Sequence, residues 1–323
     1  MISCNKALEN NNNVKVITDF PLIETVADIE EPEAGESVAS RVYESAESAG
    51  THTIKWKKGD EFSMFGVVTA TGTSTGTATT PAQGDILNYS HLRQTLIYGD
   101  GTKTFSMTYP DMKTMYGTGS GVQTNVFAIH PATTLNVTLN GAYSNYKATP
   151  ASTLSIPAVQ DGTGWPYSIW FSRNSQLTAA TNNANAGGFA FFLASTILRV
   201  KISSSKNITR VVLTTTGAVL VGNVTELTLN YMSGTDTANF TISGGCLTNS
   251  VTLENGGILP DDLYISVRDL REGSTNTFVF TAEDGSTCTK VFSNPAGYAN
   301  RRMRGVFYLG TVTIGDSDWV PAS

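Results

Sequence analysis

Apolar and polar residues alternate with a period of two almost from end to end, in runs separated by Gly, Asn, Asp and Pro. Such runs predict β-strands joined by tight turns, because successive side chains of a strand point to opposite faces. Val14 to Leu22 reads as a first strand, broken or edged at Pro21. EFSMFGVVTA, NVFAIHPATTLNVTLNG, STLSIPAV and PYSIWFS supply further strands up to Ser172. FAFFLASTILRVKISS, ITRVVLTTTGAVLVG, SVTLE, DLYISVRDL and RGVFYLGTVTI resume the pattern after Gly188. Two hairpins are expected, QTLIY-GDG-TKTFSM turning at Asp100-Gly101 and TFVFTAEDGSTCTKVF turning near Asp284-Gly285, since Asp-Gly suits the left-handed turn positions. Helical spacing is absent over any dozen residues, and Pro295 to Met303 is expected to make at most one or two turns.

These elements predict an all-β chain of two consecutive, Greek-key-like β-sandwich domains. A polar stretch, SRNSQLTAATNNANAGG, separates the halves. The expected division is a tether at 1–13, an N-terminal sandwich at 14–172, a connecting segment at 173–187 and a C-terminal sandwich at 188–323.

Composition narrows the function. At 323 residues the chain has room for about two cores. Its net charge is −6, and nine acids between Asp19 and Glu47 face a single base, Arg41. The remainder is nearly neutral and carries no basic stripe, which argues against nucleic acid as a partner. The longest apolar run, Phe189 to Leu198, is about half of what a spanning helix needs. The folded body is therefore expected to be soluble, with any membrane attachment covalent.

Catalytic and metal signals are weak. Gly72-Thr73-Ser74-Thr75-Gly76 matches G-x-S-x-G, but a nucleophile elbow needs a strand before the serine and a helix after it. Here the motif sits in a Gly/Thr/Ser run. His52, His91 and His130 have no metal-type spacing with another His or Cys. Asp261-Asp262 and Asp316-Ser317-Asp318 do not continue into a calcium loop, and Gly117 to Gly121 lacks the flanking strand and helix of a phosphate cradle. No catalytic residue, metal or cofactor is expected, and the chain reads as a non-enzyme.

Three other features call for assignment. Met1-Ile2-Ser3-Cys4 looks like the end of a bacterial lipobox, followed by an asparagine run suited to a hydrated spacer. The alternative is an ordinary free cysteine near a terminus. A preceding signal peptide is expected in the precursor, absent or truncated in this sequence. Cys246 and Cys288 are a candidate disulfide that would close a loop of about 40 residues, contributing about 4 kcal/mol in the chain-entropy picture. Among the four tryptophans, Trp165 and Trp170 in GWPYSIW are candidates for a sugar platform, core packing being the other reading.

Ala39-Ser40-Arg41, a short polar segment, and then HTIKWKKGDEFSMFG (His52 to Gly66) resemble the opening of fimbrillin-family proteins. Phe189 to Gly222 resembles that family's second-domain opening, and RGVFYLGTVTI resembles its last strand; the likeness runs from about 14 to 314. It implies two β-sandwich domains in a cell-surface, outer-membrane lipoprotein or fimbrial subunit used in adhesion. It further implies lipidation at Cys4, cleavage at Arg41 by an Arg-specific protease, removal of the first strand, and donor-strand exchange. Arg41 is the first arginine of the chain, just past an acidic Pro/Gly linker. The candidate donor is the terminal strand, with Val306, Tyr308, Val312 and Ile314 on one face, Phe307 and Leu309 on the other, and Gly310 marking a close approach or a bulge. Expected partners are other copies or related fimbrial subunits, host or bacterial surface ligands, and the outer membrane through the anchor. The alternative is a non-polymerising surface lipoprotein that binds a glycan or host ligand.

Overall fold

Seven consecutive residues, Phe62 to Val68, are buried. A strand with one wet face would show alternate burial, so the strand Glu61–Ala70 must be covered on both sides. The computed structural model describes residues 15–28, 43–48, 51–55, 59–77, 80–95, 104–139, 145–151, 154–162, 168–178, 190–216, 220–230, 239–243, 248–268, 274–293 and 305–322. Within them the fold is all-β, several sheets packing face to face.

Glu61–Ala70 lies inside a six-stranded sheet ordered Val16–Ile17, Ile86–Thr95, Glu61–Ala70, Gln123–His130, Trp170–Thr178 and Ala190–Leu193. Strict alternation assigns each side chain to one of two cores. Phe65, Val67, Phe127, Ile129 and Phe171 enter the larger core, which continues through the second half of the chain. Phe62, Met64, Val68, Val126, Ala128 and Trp170 enter a smaller core on the opposite face.

The smaller core is roofed by a short helix, Met112–Tyr116, whose Met112, Met115 and Tyr116 are buried. Asp111 caps it by accepting a hydrogen bond from the Thr114 N–H at 3.0 Å, satisfying one of the orphan donors of a helix start. The stretch Gly72 to Gly76 lies across the other end of this helix. Thr75 N–H donates to Tyr116 O at 2.9 Å and Thr77 N–H to Thr114 O at 3.1 Å. A Cβ on Gly72 would sit 1.4 Å from Ser120 O, and one on Gly76 would sit 2.4 Å from Met115 O. Both glycines thus serve close backbone approach, and no nucleophile turn surrounds Ser74.

In the second half, a five-stranded sheet faces a three-stranded one. The first is ordered Val159–Gln160, Ser250–Leu253, Ile208–Thr215, Thr275–Ala282 and Thr287–Ser293; the second is ordered Asp262–Val267, Thr196–Ser204 and Gly305–Ile314. Thr275–Ala282 alternates cleanly, with Asn276, Phe278, Phe280 and Ala282 buried. It pairs with Thr287–Ser293 across the expected turn at Asp284-Gly285, where Gly285 has φ +81°. Three pairings tie early strands to late ones: Asn145–Pro150 with Glu226–Asn230, Leu154–Ile156 with Gly222–Val224, and Val159–Gln160 with Ser250–Leu253. Residues 173–178, placed in the connecting segment by composition, extend the strand Trp170–Thr178.

The other expected hairpin differs. Among the described residues no ladder joins Ile86–Thr95 to Thr104–Pro110; Thr104–Pro110 pairs with Leu22–Asp28 in a two-stranded sheet. The buried Gln94 side chain bridges the gap, its Oε1 accepting from the Thr108 N–H. The turn at Asp100-Gly101 and the stretch Pro295 to Met303 lie outside the described residues.

Candidate functional site

The chain leaves its N-terminal segment on two sheet edges in succession. Val16–Ile17 runs parallel to Ile86–Leu87. Ile86 N–H donates to Lys15 O at 2.9 Å, and Lys15 N–H donates to Asp85 Oδ1 at 3.2 Å. The chain then crosses to a second edge, where Asp111 N–H donates to Pro21 O at 2.8 Å. From there Leu22–Asp28 pairs antiparallel with Thr104–Pro110 through seven residue pairs without a register shift. Of the two readings at Pro21, the break is the one observed: the chain makes Val16–Ile17 before it and Leu22–Asp28 after it. Pro21 has no N–H to give to a ladder, and the break falls where the chain changes partner.

Ile17 and Phe20 pack on the smaller core while staying partly exposed, and Val16 is 47% exposed. Phe20 meets Tyr89 edge to face, centroids 5.9 Å apart. Beneath them the Tyr89 and Tyr116 hydroxyls are buried without a hydrogen-bond partner, at a cost of about 1–3 kcal/mol each. Burial pushes both phenols up, that of Tyr116 to about 12 with help from the Asp85 carboxylate. Asp85 is buried too, its Oδ2 accepting from the Ala82 N–H at 2.9 Å.

The edge under this segment is longer than its occupant. Ile86–Thr95 has ten residues, and among the described residues only Ile86 and Leu87 have a strand partner on that side. Further along, Asn88 Nδ2 and Ser90 Oγ donate to Leu135 O at 2.8 and 3.3 Å.

At the other end of the chain, Gly305–Ile314 is an edge strand of its own sheet, parallel to Thr196–Ser204. The expected bulge is present: the register shifts between Arg199 and Lys201, and Gly310 has φ +92°. It also corrects the assignment of faces. Val312 and Ile314 are buried and Leu309 packs beside them, whereas Tyr308 is 54% exposed. One extra residue at Gly310 reverses the parity, so Tyr308 does not share a face with Val312 and Ile314.

The strand continues into a 3₁₀ turn, Asp316–Asp318. Trp319 then enters the larger core, 8% exposed, with Nε1 donating to Ser205 Oγ at 3.3 Å. Val320 bridges to Thr287 through two backbone hydrogen bonds of 2.8 and 2.9 Å. Lys206 lies 5.5 Å from the Trp319 ring and donates to Asp284 Oδ2 at 2.6 Å; Lys290 pairs with Asp318 at 3.0 Å. The acids of Asp316-Ser317-Asp318 and Asp261-Asp262 thus include two that pair with cations, Asp262 being held by Arg199.

The Asp284 carboxyl is held below its ordinary value of 3.8 by the Lys206 ammonium and then by Ser286. That of Asp318 is lowered by the Gly315 N–H and then by Lys290. A depressed folded-state value means the contribution is present above about 3.8 and is lost as pH falls through the folded values. Amide exchange at Trp319 and Val320 is therefore expected to rise relative to Phe278 and Phe280 between about pH 4 and 2, after correction for intrinsic rates. An unchanged ratio would show that these pairs do not hold the chain end.

Of the remaining candidates, Trp170 is a correction. It is 0% exposed, its Nε1 donating to Ser168 Oγ at 3.1 Å inside the smaller core. A sheet covered on both faces has no wet side on which to present the ring. Cys288 is buried and unpaired, and burial pushes its thiol up. Cys4, Arg41, Trp165 and Cys246 lie outside the described residues. His130 is buried, its Nδ1 2.7 Å from Glu61 O. Among the described residues no group of three potential metal ligands comes together, and no helix is long and apolar enough to cross a membrane.

No family model matches the chain, and no curated protein matches it closely in sequence. Its structure is similar to one from Bacteroides ovatus, provisionally described as a cell adhesion protein, with 15% identity over 94% of this chain and 95% of that one, and a TM-score of 0.48. A second so described, from Bacteroides uniformis, has 13% identity over 83% and 91%, with a TM-score of 0.44. The tip fimbrial protein Mfa3 from Porphyromonas gingivalis has 12% identity over 86% and 83%, with a TM-score of 0.28.

Proposed function

We propose that this chain is a structural, cell-surface subunit of a fimbrial or pilus-like adhesive assembly, joined to its neighbour by replacement of its N-terminal strands. The sequence resemblance to fimbrillins supports the class. The names of the structural neighbours agree with it, and the reading does not rest on them.

One observation carries the replacement step. Among the described strands, Leu22–Asp28 is the sole ladder partner of Thr104–Pro110. Cleavage at Arg41 would separate everything before it from the body: the candidate lipid-bearing Cys4, Val16–Ile17 and Leu22–Asp28 together. Their departure would leave Thr104–Pro110 with open N–H and C=O groups, beside the apolar surface that Ile17 and Phe20 had covered. An open edge of that kind captures another strand by β-augmentation.

Treatment with an Arg-specific protease tests this. The expected result is cleavage at Arg41 followed by conversion of monomer into oligomers that survive gel electrophoresis unheated and dissociate on boiling, or into a stable complex with an added strand peptide. Protein cut at Arg41 that stays monomeric and takes up no strand would overturn the proposal.

A further inference from the structure

The five-stranded sheet of the second half buries one face in the larger core through Val211, Leu213, Val251, Phe278 and Phe280. The side chains between these point outward, because strand residues alternate, and register lines them up in rows. One row runs Val159, Thr252, Val212, Val279 and Thr289 across the sheet. The next runs Ser250, Thr214, Thr277 and Val291. Val159 and Val291 are 55% and 59% exposed; Thr289 is exposed, and the inner members of both rows are half-buried.

This face is almost bare of charge. Arg210 is the only charged side chain that the five strands turn outward, and Glu254, just past Ser250–Leu253, pairs with it at 3.3 Å in one corner. The outer face of the three-stranded sheet differs, carrying Arg199, Lys201 and Asp262. Solvent-facing strand positions ordinarily hold charges that keep one sheet from sticking to another. Here they are mostly threonine and valine, whose branched Cβ fixes χ1, so covering them costs little side-chain freedom. Among the described residues no aromatic ring stands on this face, so it offers no platform for a sugar.

What such a face fits is its own likeness. Threonine hydroxyls both donate and accept, so one threonine row can meet another. A net charge of −6 holds two copies apart elsewhere, whereas these rows set no like charges against each other. A two-fold axis along the strands, between Ser250–Leu253 and Ile208–Thr215, would set Thr252 of each copy against Val212 of the other. The same axis would set Arg210 against Glu254, reciprocally.

We infer that the outer face of the five-stranded sheet is a side-to-side contact between two copies of this chain. Strands about 4.8 Å apart, with outward residues about 6.8 Å apart along each, make a face of about 20 by 20 Å. Pairing two of them covers at most about 800 Å², below the roughly 1,200 Å² of a stable complex, so the contact is weak and reversible. It strengthens where copies are already held side by side. The contact needs neither cleavage at Arg41 nor the N-terminal cleft, so it stands or falls apart from strand replacement.

Sedimentation equilibrium of the uncleaved chain tests this. The wild type is expected to form dimers at concentrations up to about 1 mM. Thr214→Lys, which puts two ammonium groups near the axis, should raise the dissociation constant at least about tenfold. It should stay folded, because the site is outward-facing. Ser203→Lys, on the outer face of the other sheet, should leave association unchanged. The corner supplies a second measurement. Arg210→Glu and Glu254→Arg should each self-associate more weakly than the wild type. Mixed, the two variants should pair with each other in preference to themselves, since the mixed dimer alone sets opposite charges across the contact.

A wild-type chain that is monomeric at about 1 mM would overturn the inference. So would a folded Thr214→Lys protein that associates as the wild type does, or a Ser203→Lys protein weakened as much as Thr214→Lys. A mixture of the two corner variants without preference for the mixed dimer would overturn it as well.

Discussion

Trp170→Ala is expected to destabilise the protein by about 3–5 kcal/mol, the range for deleting a buried aromatic side chain. The ring has no exposed surface and lies in the layer between the six-stranded sheet and the helix Met112–Tyr116. Its direct register neighbours, His130 and Leu193, are buried too, so the cavity has little room to collapse. The Nε1 contact with Ser168 Oγ at 3.1 Å is lost as well, leaving a buried hydroxyl to find another donor. Trp170→Phe keeps much of the volume and should cost less. Denaturant midpoints of the two variants would check both statements. A Trp170→Ala protein as stable as the parent would show that the ring is not a core residue, and would reopen its candidacy as a sugar platform.

Deleting residues 1–28 is expected to have the second-largest effect. The partial burial of Ile17 and Phe20 is worth about 1.5–3 kcal/mol together, taking roughly half the value of full burial for each. The seven lost ladder pairs leave Thr104–Pro110 without its partner, and two-stranded pairing is already the minimum for a strand on a surface. A lower thermal midpoint and concentration-dependent association should follow. A synthetic peptide of residues 15–28, added at about 100 times its dissociation constant, should return about 2.7 kcal/mol by mass action. A truncated protein with unchanged midpoint that remains monomeric would show that the N-terminal segment fills no cleft.

Much of the strand content was legible because period-two alternation is a local signal. Thr275–Ala282 shows this best, its phenylalanines at alternate positions and its turn marked by Asp284-Gly285. Partners were less legible, because pairing depends on distant contacts. Nothing in Asn145–Pro150 announces Glu226–Asn230 as its neighbour. The acids Glu24 and Asp28 hid Leu22–Asp28, although an edge strand tolerates charge. The helix Met112–Tyr116 is too short to show a helical period. Asp111 before it and Gly117 after it were the only local signals, and they are weak.

The candidate site was legible to a similar degree. An early strand interrupted near Pro21, and a close approach or bulge at Gly310, could be read from the sequence, whereas the packing of Ile17 and Phe20 on a core could not. The reversal of faces beyond Gly310 did not, since a count of two runs straight through a bulge that only the pairing reveals. Of the two readings of Trp170, core packing holds and the sugar platform does not. Its neighbours Ile169 and Phe171 fill one core while it fills another, and a reading that assumes one wet face assigns the odd ring to solvent.

The parallel orientation of Gly305–Ile314 beside Thr196–Ser204 has a mechanical consequence. Tension drawn through the chain's tail runs along the length of these two strands, so their hydrogen bonds meet the load together in shear. An antiparallel hairpin pulled at its open end gives way one rung at a time, at much lower force. A surface protein held against fluid flow by this end would resist extraction as a riveted seam does, rather than opening like a zip.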